Sequence, residues 1–150
     1  MKGLELYELA TGSFSDFAKP FRQNDSMFNQ AKAFWSQLDS VAWLFLGFAA
    51  AVGVCLAVLY YTWYNNQSGR HYKPKYWWAF LVVALIATLV GTLIIELVSA
   101  KPVLDGALGI EMKIALLNML YSFIPYLVVS FVWCNTPLST NAYRYLKISK

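Results

Sequence analysis

The sequence predicts an all-α integral membrane protein, with three transmembrane helices and an amphipathic amino-terminal helical arm. Three observations carry that prediction. Hydrophobic residues make up 59% of the 150-residue chain, against roughly 45–50% in a soluble domain. Charged residues make up 13%, about half the usual share of roughly 25%. Three long stretches hold almost no charge. So much hydrophobicity excludes intrinsic disorder, which needs low hydrophobicity and high charge. So little charge argues against an ordinary soluble fold, because the surface of a small sphere would go uncovered. The chain reads as an arm over residues 1–40, a transmembrane domain over 41–134 and a basic tail over 135–150.

The arm comes first. Residues 1–10 suit a short helix with Leu4, Leu6, Tyr7 and Leu9 partly on one side. Glu5 and Glu8 stand where a signal peptide would have its apolar core. Residues 11–24, with Gly12, Ser13, Ser15 and Pro20, are expected to be irregular. Asp25 or Ser26 then suits a helix cap. From there Met27, Phe28, Ala31, Phe34, Trp35 and Leu38 recur at helical spacing. This amphipathic helix either lies flat in the headgroup layer or runs straight on and packs against a partner. Lys32 is its one basic residue, which favours protein contact.

The spans follow at residues 41–64, 77–100 and 114–134. Each passes the length of roughly 20 apolar residues that a membrane helix needs. Backbone groups in hydrocarbon must be satisfied within the segment, so these are helices. The runs do not alternate as barrel strands do. Aromatics mark the ends: Tyr60, Tyr61, Trp63, Tyr64, Tyr76, Trp77, Trp78 and Trp133 on one side, Trp35 and Trp43 on the other.

Charge sets the orientation. Arg70, Lys73 and Lys75 in the first loop have no acid beside them, nor do Arg144, Lys147 and Lys150 in the tail. Residues 1–40 hold one more acid than bases. The positive-inside rule therefore puts the amino terminus outside and the carboxyl terminus in the cytoplasm. This topology accounts for the net charge of +4 without a nucleic-acid partner. Arg70, Lys73 and Lys75 could also meet anionic headgroups.

Small residues four apart let helices approach closely. Gly47, Ala49 and Gly53 in the first span, and Ala84, Ala87, Thr88 and Gly91 in the second, are expected to pack helices within the chain or between subunits. Glu96 is the one acid inside a span. Such a group has a partner or a role, either as an ion or proton site facing the interior or as a residue near its helix end. The simpler reading is taken here, that it reaches water or Lys101. Asn118, Ser122 and Ser130 give the third span polar positions, and Asn118 and Glu96 are candidates to pair. Pro125 removes a backbone hydrogen bond and is expected to kink this helix.

Catalysis has no visible basis in the sequence. There is no nucleophile motif, no phosphate loop and no paired intramembrane carboxylate. No cofactor or metal is expected, since His71 is the lone histidine and the cysteines, Cys55 and Cys134, sit apart in apolar segments. The expectation is a non-enzymatic small membrane subunit, a scaffold or anchor. It would assemble in the lipid bilayer with copies of itself or with other membrane subunits. The alternative is a small homo-oligomeric channel or pore, possibly membrane-permeabilising, lined by Glu96, Asn118, Ser122 and Ser130.

Overall fold

Long uninterrupted runs without proline or glycine favour long helices, and the chain is helical throughout. The computed structural model describes residues 3–69, 73–99, 104, 107–136 and 146. A 3-10 turn at Gly3–Tyr7 leads into α1 (Glu8–Thr11) and α2 (Phe14–Ala18). A second 3-10 turn covers Lys19–Phe21. Three long helices follow: α3 (Asp25–Leu59), α4 (Pro74–Ser99) and α5 (Leu108–Asn135). No strand occurs among the described residues. These three helices are long and apolar enough to cross a membrane.

The helices start earlier than the apolar runs, because their starts are fixed by backbone chemistry rather than hydropathy. Asn24 caps α3: its Oδ1 accepts from the amides of Ser26 at 3.0 Å and Met27 at 3.4 Å. The cap is thus one residue before the expected Asp25 or Ser26. Between residues 25 and 46 there is no proline or glycine, so the amphipathic segment and the first span form one helix of 35 residues. That length is about 52 Å. Pro74 opens α4, where its missing N–H costs nothing. Helix α5 runs through Pro125.

The end of the first span differs from an α-helix. Tyr60–Tyr64 form a π-helical turn, closed by the Asn65 amide donating to the Tyr60 carbonyl at 2.8 Å. The wider turn puts one extra residue on the same side. Tyr60 and Tyr61 are both buried in consequence, and Trp77 is buried too. The expected aromatic belt is therefore divided. Trp63 and Trp78 face outward, whereas the other three belong to the core.

Two compact units share these helices. The first comprises Met1–Phe48 and Leu89–Asn118; the second comprises Ala49–Thr88 and Met119–Lys150. In the first unit the segment expected to be irregular is helical instead. Phe14, Phe17 and Phe21 recur at spacings of three and four, and such a stripe pays for ordering by packing. Phe17 lies 5.9 Å from Phe34 and 5.3 Å from Trp35, and Phe14 lies 5.7 Å from Trp35, centroid to centroid. Ala31, Phe34 and Leu38 are fully buried. The apolar face of the arm, expected to meet a partner, is thus covered largely by the chain's own first residues.

In the second unit Ala57, Tyr60, Tyr61, Trp77, Leu81, Ala84, Tyr126 and Cys134 form the core. Tyr61 stacks on Trp133 at 5.8 Å, and Trp77 meets Tyr126 edge-on at 5.3 Å. Gly53 is required here by close approach. A Cβ on it would overlap the Ser122 carbonyl and come within 2.9 Å of Pro125 Cγ.

Candidate functional site

Polar side chains that enter an apolar interior must find partners there, and in each unit they do so around one or two residues. In the first unit the centre is Asn118, fully buried on α5. Its Nδ2 donates to the Phe45 carbonyl of α3 at 3.0 Å. The same group donates to Thr92 Oγ1 of α4 at 2.7 Å. Its Oδ1 accepts from the Tyr7 hydroxyl at 3.0 Å. One amide therefore ties the arm to all three long helices. Tyr7 is held edge-on to Phe45 at 6.3 Å.

A second fastening lies nearby in sequence. The Leu4 amide donates to Asp39 Oδ1 at 2.9 Å. Gly3 lies so close to α3 that a Cβ would stand 2.6 Å from Ala42 Cβ. Leu4 and Tyr7 are buried, while Leu9 points outward. An open cleft of about 310 Å³ is lined by Phe14, Lys32, Trp35, Ser36 and Asp39. On the exposed side of the arm, Asp16 pairs with Lys19 at 2.7 Å. That hydrogen bond holds the Asp16 carboxyl below the ordinary carboxylate value.

Glu96 differs from every other buried polar group in this unit. It is fully enclosed on α4, one turn beyond Thr92, and neither carboxylate oxygen has a hydrogen-bond partner. The expectation that it reaches water is thus wrong. Ala84, Thr88, Thr92 and Glu96 recur every four residues and all are buried, so the inward face continues to the last turns of the helix. Lys101 lies outside the described residues. The suggested pairing of Glu96 with Asn118 is not made, because the amide of Asn118 is bonded to Tyr7, Phe45 and Thr92.

In the second unit the centre is Trp77. Its Nε1 donates to Ser130 Oγ at 3.1 Å, and its carbonyl accepts from the Tyr126 hydroxyl at 3.0 Å. Tyr61 Oη lies 3.6 Å from Cys134 Sγ. Ser122 is satisfied locally, donating to the Met119 carbonyl at 2.7 Å, and Thr88 donates to the Ala84 carbonyl at 2.8 Å.

The small residues divide by direction. Ala49, Gly53, Ala84 and Thr88 are buried, and Gly91 lies under the Phe48 ring. Gly47 and Ala87 face outward, and nothing lies within 4 Å of a Cβ on Gly47. Lys73 and Lys75 are exposed, with Lys75 Nζ 5.1 Å above the Tyr76 ring. Arg70 lies outside the described residues. Among the described residues no group of acidic, histidine or cysteine side chains could hold a metal ion.

Sequence reasoning missed Tyr7, Asp39, Trp77 and Tyr126 as polar partners. A buried asparagine has several bonds to satisfy, which signals that partners exist. Nothing in the sequence says that one of them lies 111 residues away. No known protein family, no curated protein and no solved structure matches the chain.

Proposed function

We propose that this chain is an integral membrane subunit, non-enzymatic, that acts as a scaffold or anchor by assembling with copies of itself or with other membrane proteins. One observation carries the reading. Every exposed residue between 43 and 59, 78 and 98, and 116 and 132 is apolar or glycine, while Thr88, Thr92, Glu96, Asn118, Ser122 and Ser130 are buried. Soluble proteins rarely expose contiguous apolar surface on that scale, and lipid is the solvent that suits it. A homo-oligomeric pore would need polar groups on the outer surface that subunits present to a shared axis. The polar positions here point inward and most are engaged in bonds within the chain, which favours an anchor over a pore.

The outward-facing Gly47 and Ala87, with Ala50 and Ala51 beside them on the exposed side of α3, offer flat sites for close helix approach. The charge pattern supports an amino terminus outside and a cytoplasmic carboxyl terminus. Lys73 and Lys75, exposed at the start of α4, suit contact with anionic headgroups.

Native mass spectrometry of the full chain, extracted in mild detergent, tests the reading. The expected result is a defined oligomer or a defined hetero-complex, reduced to the monomer by Gly47→Phe with Ala87→Phe. A wild-type chain that stays monomeric and partner-free at every concentration would overturn it. In a planar bilayer the purified chain is expected to pass no current, and steady single-channel conductance would restore the pore reading.

A further inference from the structure

A carboxyl group shut away from water and bonded to nothing cannot keep its charge cheaply. The ionised form loses its hydration and gains no partner in exchange, so such a group takes up a proton instead. Glu96 meets both conditions: its side chain is fully enclosed and both oxygens are without hydrogen bonds.

No cation compensates it. From α5 the charged side chain acting on Glu96 is Glu111, an acid, which opposes a second negative charge. Lys113 of α5 is exposed. From α3 comes Asp39, whose carboxylate is bonded to the Leu4 amide. From the arm comes Tyr7, whose hydroxyl is donated to Asn118. On its own helix the neighbour one turn back is Thr92, a neutral hydroxyl bonded to Asn118.

We propose that Glu96 is a proton-binding site within the first unit, carrying a proton at neutral pH and exchanging it reversibly with water. The ligand is the proton alone. Binding forms one O–H bond on a carboxylate oxygen, with the proton taken from hydronium and water released; no other bond changes and no electron moves. The inference stands apart from the assembly reading, since it concerns one chain and holds whether or not that chain associates.

Infrared spectroscopy of the full-length protein in lipid vesicles at neutral pH tests it. The wild type is expected to show a carboxylic-acid carbonyl band, separate from the carboxylate bands of the exposed acids. Transfer to heavy water should shift that band, and return to ordinary water should restore it. Glu96→Gln, which imitates the neutral acid, should fold as the wild type does and lose the band entirely. Glu111→Gln should retain it. Should Glu96→Gln not fold, Glu96→Asp keeps a carboxyl group and should move the band. The proposal fails if the folded wild type shows no acid band. It fails equally if the band survives in Glu96→Gln, stays unmoved in Glu96→Asp, or ignores heavy water.

Discussion

Replacing Asn118 by leucine keeps the volume of the side chain and removes its bonds to Tyr7, Phe45 and Thr92. Hydrogen bonds between membrane helices average about 0.6 kcal/mol, with a maximum near 1.7 kcal/mol. Three of them lost together give a cost of about 2 kcal/mol, and no more than about 5 kcal/mol. Tyr7→Phe removes one of the three and should cost about 0.6 kcal/mol by the same figure. The two changes touch one bond in common, so they should not add. In the Asn118→Leu background Tyr7→Phe should cost almost nothing. Equilibrium unfolding in mixed micelles, followed by far-ultraviolet circular dichroism, measures all four chains of the cycle. Equal cost of Tyr7→Phe in both backgrounds would refute the bond between the arm and α5. An Asn118→Leu chain as stable as the wild type would refute the central role given to the amide.

Other predictions follow the same contacts. Gly53→Ala should destabilise by about 1–3 kcal/mol through overpacking, while Gly47→Ala, in open space, should be neutral or stabilise by up to about 1 kcal/mol; thermal unfolding of both variants compares them. Trp77→Phe leaves Ser130 without its indole donor and should cost about 1 kcal/mol, read in the same micelle assay. For topology, a cysteine placed at Ser68 should react with a polar thiol reagent from the cytoplasmic face only, and one at Ser15 from the opposite face only. Limited proteolysis near Gly12 should speed up in Asp39→Ala, because the Leu4 amide then loses its acceptor.

The spans were legible in the sequence because lipid-length apolar runs need no tertiary information. Their starts were less so, since Asn24 and Pro74 act through the backbone and lie outside the apolar stretch. The inward stripe of Thr88, Thr92 and Glu96 could be read from its four-residue spacing. The side of Glu96 was nonetheless misjudged, because closeness to a helix end was weighed above helical phase. The bond between Tyr7 and Asn118 was out of reach, as loop closure over so many residues leaves no local pattern. The covering of Phe34 and Leu38 by the arm was missed for a related reason: Gly12, Ser13 and Pro20 suggested a loop, while Phe14, Phe17 and Phe21 supplied the packing that overrode it.

The widened turn at Tyr60–Tyr64 fixes the angular phase of everything after it. Deleting any one residue there would restore ordinary winding and swing the following side chains round the axis by roughly 100°. Tyr64 and Asn65 would then leave the interior, and Trp63 would rotate toward it. A single-codon deletion at this place should therefore be far more damaging than a substitution at the same position, even of a buried ring. The chain holds two neighbouring tyrosines against one core only because it carries one residue more than an α-helix would need.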